Sequence, residues 1–457
     1  MIKCLTLFKN VKRKGENEMG KLAINGGEKT VKSNVDVRLP VVSEKGIAAA
    51  VELMRKGEIS TSPLVDVFEK EFAQFIGVKY GLASNSGTSS LHQALFAVGV
   101  SAGDEVIVPS FTFVASVSTI LAARGIPVFC DVDIDTHCID PEDIERKITS
   151  RTRAIMVVHV WGNPCDMDSI LRIAHKHKLA VVEDCSHAHG AVWKGKKVGS
   201  IGDAGGFSLQ GSKIMPAGEG GVLTTNNLDV YERAIVCGRV EKIDSIPAGS
   251  RNRKASMGLG FKHRPHPVGI AIALEHLREL DVLNGIRNKN GRYLDDAISD
   301  IPCVKPQKVL PGCERVYSYH FGNYDRNLLG GVSLEVFLRA LAAEGVGCGR
   351  VGYGRLHETD IFEEGSIYFH ECCLGRCPHS RRPGEFEKPD LPNTLKLRSS
   401  AFTMAPRFET NFAEKLDQYV DAYHKVASCV DELKAYEKDN ADKIKPVNVS
   451  ARSVNPV

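Results

Sequence analysis

Short apolar runs alternate with amphipathic stretches along the first half of the chain. This rhythm constrains the fold more than any other feature. EVIVP (105–109), IPVFC (126–130), AIMVVHV (154–160) and LAVVED (179–184) read as short buried strands. Helical stretches stand between them: 112–124, DPEDIERKI capped by Asp140-Pro141, and DMDSILRIAHKHK (166–178). Parallel neighbours need a crossover of a dozen or more residues, and a helix is the usual one. The rhythm predicts an α/β fold, with a mostly parallel central sheet and helices on both faces.

The flanking segments extend this plan. Ser62-Pro63 opens a helix with Leu64, Phe68, Phe72, Phe75 and Ile76 on one face. A second helix starts near Gly87 with Leu91, Leu95 and Val98. AVWKGKKVGS (191–200) reads as a hairpin turning at Gly195, and AGGFSL and GGVLTT as further strands. A helical stretch over 267–283 leads into a smaller α+β unit holding YSYHFGNY, SLEVFLRALAAEG and FAEKLDQYVDAYHKVASCV. The expected organisation is an N-terminal arm (1–40, with 1–19 disordered), a large domain (41–284), a small C-terminal domain (285–434) and a disordered tail (435–457).

Composition narrows the function classes. The 457 residues carry 59 Lys+Arg against 56 Asp+Glu, a net charge of +3. That balance, with no dense basic stripe beyond the first residues, argues against nucleic acid as partner. No apolar run is long enough for a transmembrane helix, so no membrane is expected. Thirteen scattered Cys are an odd number, unlike a secreted disulfide framework. The N-terminus lacks the apolar core of a signal peptide. A cytoplasmic protein is expected.

Ligands of open α/β sheets bind beyond the carboxyl ends of the strands, and three polar clusters stand there. Ser84-Asn85-Ser86-Gly87-Thr88-Ser89-Ser90 enters a helix, where free N–H groups, hydroxyls and the helix dipole suit a phosphate. From these residues alone, an ordinary N-cap with surplus serines is the commoner reading. Glu183-Asp184-Cys185-Ser186-His187 follows a strand. Its carboxylate suits a cation or a protonated ring nitrogen, or else caps the next helix. Lys213 stands alone in FSLQGSK before GEGG. A lysine held unprotonated there suits Schiff-base chemistry, although most loop lysines are simply solvated. Together the clusters fit one ligand, pyridoxal phosphate.

SNSGTSSLHQAL, GDEVIVPSFTFVAS, PVFCDVDIDTHCIDPEDIE, VVHVWGNPCDMDSI and the long block VVEDCSHAHGAVWKGKKVGSIGDAGGFSLQGSKIMPAGEGGVLTT are similar to the DegT/DnrJ/StrS-type sugar aminotransferases, within the fold-type I pyridoxal-phosphate enzymes. LPNTLKLRSSAFTMAPRF resembles them more weakly. The similarity runs from about Leu22 to about Val430. It implies Lys213 as Schiff-base lysine and general base, and Asp184 as partner of the pyridinium nitrogen. It implies His187 near the ring face or phenolic oxygen, Gly87, Thr88 and Ser208 at the phosphate, and Phe113 stacked on the ring. It also implies a homodimer with shared active sites.

There are departures. Lys262, in GFKHRPHPVGI, stands where the family often has an Asn that reaches the neighbouring subunit's phosphate; a lysine serves as a point charge there. Tyr353 and His357, in VGYGRLH, match a segment near the substrate, and Arg407 in APRF is a weaker match. HECCLGRCPHSRRPG (370–384) crowds His370, Cys372, Cys373, Cys377 and His379, but adjacent cysteines suit tetrahedral ligation poorly and no second CxxC follows. No metal is expected. The resemblance implies transfer of an amino group from glutamate or glutamine to a keto-sugar or keto-cyclitol. The alternatives are a sugar dehydratase of the same fold, whose members replace the lysine by His, or a non-catalytic regulator retaining the fold.

Overall fold

The computed structural model describes residues 20–32, 42–254, 258–362, 389–405 and 413–444. The strands are β1 (Tyr80–Ser84), β2 (Glu105–Pro109), β3 (Ile126–Cys130), β4 (Thr152–Val158), β5 (Ala180–Asp184), β6 (Val192–Trp193), β7 (Lys196–Lys197), β8 (Ala204–Ser208), β9 (Gly221–Thr225), β10 (Val304–Pro306), β11 (Cys313–Glu314), β12 (His320–Tyr324), β13 (Gly349–Arg350) and β14 (Ala401–Ala405). The helices are α1 (Glu44–Lys56), α2 (Leu64–Ile76), α3 (Gly87–Ala97), α4 (Val114–Ala122), α5 (Pro141–Lys147), α6 (Met167–His177), α7 (Leu228–Gly238), α8 (Pro267–Ala297), α9 (Leu334–Ala343), α10 (Pro392–Ser400), α11 (Ala413–Ser428) and α12 (Val430–Asp439). Among the described residues, no helix is long and apolar enough to cross a membrane.

The main sheet has seven strands in the order β1-β9-β8-β5-β4-β2-β3. β3, β2, β4, β5 and β8 pair in parallel, while β9 runs antiparallel to both β8 and β1. Its strands are apolar on both faces because helices cover both. Val106 and Val108 point into a core with Leu91 and Leu95 of α3, Val117 of α4 and Ile235 of α7. Ile107, Ile155 and Val157 point the other way, onto Ile144 of α5 and Ile170 of α6. On that second face α2 and α8 cover β8 and β9 through Phe68, Phe72, Phe207, Ile270 and Leu274. Side chains at the helix starts set the boundaries. Ser86 accepts from Ser89 N–H (3.0 Å), Asp140 from Glu142 N–H (2.9 Å) and Asp166 from Ser169 N–H (3.2 Å).

A second sheet, β10-β12-β14-β13, is antiparallel. It packs with α9 and α11 around Phe337, Phe402, Met404, Tyr419 and Tyr423. α8 serves both cores, giving Leu274 and Leu277 to the first and Leu294 to the second. The arm residues 20–32 are pinned to the second unit: Ala23 N–H and the Thr30 hydroxyl donate to Glu344 (2.8 and 2.7 Å).

One expectation is corrected. Residues 435–444 are not a disordered tail: α12 and a short turn at Ala441–Lys443 continue the fold. The segment is mostly polar, but Leu433 is buried and Tyr436 and Ile444 pack on the second core. A few apolar side chains suffice where the receiving surface is already formed. Residues 1–19 and 445–457 lie outside the described residues, as do Arg407 and the whole of 370–384.

Candidate active site

The polar residues singled out above stand just beyond the carboxyl ends of β1, β2, β5 and β8. After β1, the Ser84 hydroxyl donates to Ser86 O (2.9 Å) and Ser86 caps α3. Gly87 begins the helix hard against the end of β8. A Cβ at Gly87 would stand 2.6 Å from Ser208 Cβ and 2.9 Å from Ser208 Cα, and one at Gly221 only 2.2 Å from Ser86 O. Only glycine permits this approach. The cup so formed has the first amides of α3 on one wall and Ser208 on the other, with the exposed Thr88 on its rim.

Asp184 ends β5 and is 5% exposed. Its Oδ2 accepts from the Ser116 hydroxyl (2.7 Å) and its Oδ1 from Ser186 N–H (3.0 Å). Ser116 bonds in turn to Thr112 (2.9 Å). Phe113, between them in sequence, is 54% exposed at the start of α4. Beneath Asp184, buried Glu183 accepts from His159 Nε2 (3.0 Å) and from three backbone amides, Gly199, Ile201 and Gly202 (2.8, 2.8 and 2.7 Å). Burial pushes the Glu183 carboxyl up, but the hydrogen bond and charge of His159 and the amides outweigh it and hold it below its ordinary range.

Trp161, after β4, has φ +54°, rare for a bulky residue. Gly162 forces the turn by lying against Val316: a Cβ there would meet Val316 O at 1.9 Å. The turned Trp161 N–H donates to His187 Nδ1 (3.2 Å). Burial, then the charge of Lys213, then His189, hold His187 well below the usual imidazole range. The ring is therefore neutral with its proton on Nε2. Lys213 sits in a loop closed by backbone bonds: Gly211 N–H to Gly218 O, Ala217 N–H to Leu209 O and Leu209 N–H to Gly220 O (2.8, 2.7 and 2.9 Å). Its charge also bears on His189, which burial and Lys213 bring down to about 3. Arg287 of α8 supports the loop through Ile214 O (3.2 Å).

A model of the DegT/DnrJ/EryC1/StrS aminotransferase family matches residues 40–373. This chain belongs to that family. It is 36% identical over 336 residues to L-glutamine:scyllo-inosose aminotransferase of Streptomyces griseus, covering 71% of this chain and 78% of that one. It is 39% identical over 292 residues to L-glutamine:2-deoxy-scyllo-inosose aminotransferase of Streptomyces lividus, covering 62% and 67%. Among solved structures, the aminotransferase from Psychrobacter cryohalolentis superposes with a TM-score of 0.76 at 26% identity, over 86% of this chain and 99% of that one. The fold is that of the fold-type I aminotransferases.

Within this aminotransferase, Tyr353 packs beside Trp161 and His187, whereas His357 lies against Ser110 and Phe129. The Tyr353 ring lies nearly parallel to Trp161 (5.8 Å, 14°) and to His187 (6.4 Å, 11°). Burial and then the Asp184 charge push its phenol up. His357 instead pairs its Nδ1 with Ser110 (2.7 Å) and packs edge-on to Phe129 (6.0 Å). Lys262 is exposed. Its carbonyl accepts from Asn85 Nδ2 (3.0 Å), and His263 O accepts from Asn85 N–H (2.9 Å). Segment 262–263 is thus strapped by its backbone to the turn before α3.

Sequence reading missed Ser116, Trp161 and the His159–Glu183 pair. A signal for Glu183 existed: a carboxylate inside the apolar run VVED demands partners. For Ser116 it was the small polar residue three positions after Phe113 in TFVAS.

Proposed function

We propose that this aminotransferase uses pyridoxal phosphate to move an amino group from glutamine or glutamate to a keto-cyclitol or keto-sugar. The observation that carries the reading is convergence at one sheet edge. A glycine-lined anion cup, a nearly buried carboxylate and the Lys213 loop all stand beyond the strand ends. This set fits the cofactor. Gly87, Thr88 and Ser208 would hold its phosphate, and the Ser116-bonded carboxylate of Asp184 its ring nitrogen. His187 Nε2–H would serve its phenolic oxygen, and exposed Phe113 its ring face.

When bound, pyridoxal phosphate supplies an electron-withdrawing ring that stabilises the carbanion left by loss of a Cα proton. The residues of this chain do the rest. Lys213 Nζ would take the proton from the amino donor's Cα as general base and, in the second half-reaction, deliver a proton to the acceptor's former carbonyl carbon as general acid. Asp184, held in direction by its two hydrogen bonds, would set its carboxylate opposite the ring nitrogen. Tyr353, backed by the buried Trp161, would give the substrate a flat aromatic wall. His357 and Lys262 are proposed as peripheral: His357 orients Ser110 near the substrate end, and Lys262 supplies a point charge to a phosphate across a homodimer.

The relatives' names favour a cyclitol ketone with glutamine over a nucleotide-linked sugar. Exposed Phe113, Val114, Leu259 and Phe261 support the homodimer. The nine cysteines among the described residues are all unpaired, which supports a reducing, cytoplasmic setting. Borohydride reduction of the cofactor-loaded enzyme followed by peptide mapping is the test. A label on Lys213 is expected, and one on any other lysine overturns the site. Glutamine-dependent amination of scyllo-inosose is expected to exceed that of a nucleotide-linked keto-sugar; the reverse ranking overturns the substrate class.

A further inference from the structure

We propose that His92, Cys237 and His263 form a site for one zinc-class divalent ion, behind the anion cup and separate from it. The three residues come from different elements: α3, the end of α7 and the stretch entering α8. Their ligand atoms all lie within 4.8 Å of one another. His92 Nδ1 and His263 Nε2 face each other at 3.2 Å. Tetrahedral nitrogen ligands at about 2.0 Å from one ion stand about 3.3 Å apart, so the two rings are already at ligating separation.

The surroundings are built for this arrangement. Gly238 makes room for the His263 ring: a Cβ there would stand 2.2 Å from His263 Cδ2. His263 N–H is fixed to Gly238 O (3.0 Å). Phe261 stacks on His263 (5.7 Å, 4°) and meets His92 edge-on (5.1 Å), giving the site an apolar wall. The His92 ring also bonds to the backbone of Ala122. A ring committed to a backbone partner through one nitrogen presents the other to a metal.

A second His/Cys/carboxylate group shows the contrast. His159, Glu183 and Cys185 also lie close together. There His159 Nδ1 accepts from Cys165 N–H (3.1 Å), Nε2 meets Glu183, and the carboxylate takes three amides. Its polar atoms are spent on the fold. In the His92 group the two ring nitrogens have chiefly each other, and the Cys237 thiol is buried beside them.

On binding, the Cys237 S–H bond breaks, its proton goes to solvent, and a sulfur–metal bond forms. Two neutral imidazoles and one thiolate on a divalent ion leave a net charge of +1. The ion would tie α3, α7 and the approach to α8 together. His263 O accepts from Asn85 N–H, so the tie holds the turn that leads into Gly87.

The test uses the full chain and metal salts alone, with no turnover needed. Zinc is measured in protein purified without chelator, and zinc chloride is titrated into stripped protein against a chromophoric competitor. One zinc per chain is expected, with release of one proton. Cobalt chloride is expected to give a thiolate charge-transfer band. Cys237→Ser should abolish that band, and Cys237→Ser and His263→Gln should each weaken zinc by about 100-fold or more. The double variant Cys372→Ser/Cys377→Ser should retain zinc and band. His263 is only half-buried, so His263→Gln keeps the test open should Cys237→Ser fail to fold. Absence of stoichiometric uptake overturns the site. So does uptake unchanged in both single variants, or lost only in the 372/377 double variant.

Discussion

Ser116 donates a 2.7 Å hydrogen bond to Oδ2 of Asp184, joining the first turn of α4 to the end of β5. A hydrogen bond to a carboxylate fixes its direction. Asp184→Ala is expected to abolish transamination, because the ring nitrogen loses its counter-charge. Ser116→Ala removes one of two hydrogen bonds, a loss of about 1.5–3 kcal/mol for a charged acceptor. Steady-state kinetics should show kcat lower by roughly 10- to 100-fold with KM for the ketone little moved. An S116A enzyme with unaltered kcat would detach this hydroxyl from the chemistry.

Gly87→Ala tests the cup. The added Cβ meets Ser208 Cβ at 2.6 Å and Ser208 Cα at 2.9 Å, and no side-chain rotation relieves contacts so close to the backbone. The end of β8 must move away from α3, at a cost of about 1–3 kcal/mol. Titration with pyridoxal phosphate, followed by absorbance, should show affinity reduced by about tenfold or more. Inorganic phosphate should protect the variant less against heat than it does the parent. Equal cofactor affinity in the two proteins would mean that the cup does not hold the phosphate.

The parts of the fold legible in the sequence were those whose cause is local. EVIVP and AIMVV read as strands because helices cover both their faces, leaving a continuous apolar run. Asp184 and Lys213 stood out because their chemistry is unusual at strand ends. β1 went unread: YGLAS is short and contains Gly81, whose space is filled by Glu69 O from α2. α8 was read only to position 283, where its apolar stripe gives way to Asn284, Arg287, Asn288 and Asn290. Those residues are buried; Asn284 donates to His189 O (2.9 Å) and Arg287 to Ile214 O. A polar face that pairs with distant backbone looks like a solvated one until the fold is known. Trp161 was hidden for the same reason, since its turn depends on Val316, far along the chain.

Glu183 is expected to matter for stability more than for chemistry. Glu183→Ala strands His159 Nε2 and three amides and should cost about 3–5 kcal/mol. Glu183→Gln should cost less, about 1–3 kcal/mol, because its carbonyl still serves Ile201 and Gly202 while its NH2 faces donors. The folded carboxyl lies below its ordinary value. Its contribution is therefore fully present above the unfolded value of about 4.3 and lost as pH falls through the folded one. Thermal unfolding at several pH values should show the parent losing its advantage over E183Q only in acid. An advantage constant down to low pH would contradict the assignment.

Asp295 carries the opposite pH dependence. It lies on α8 under Tyr317, whose hydroxyl donates to Oδ2 (2.6 Å). Burial raises its carboxyl to about 6, against a smaller downward pull from Arg315. The folded state thus holds this proton more tightly than the unfolded chain, where the value is about 3.9. Its contribution is complete below about pH 4 and lost as pH rises through about 6, a change of about 2–3 kcal/mol. Asp295→Asn keeps an acceptor for Tyr317 and cannot ionise. The variant should therefore match the parent near pH 4 and become the more stable protein by pH 7, read from Tm against pH for both. Parallel curves across that range would show that the carboxyl is solvated or differently paired in the folded protein.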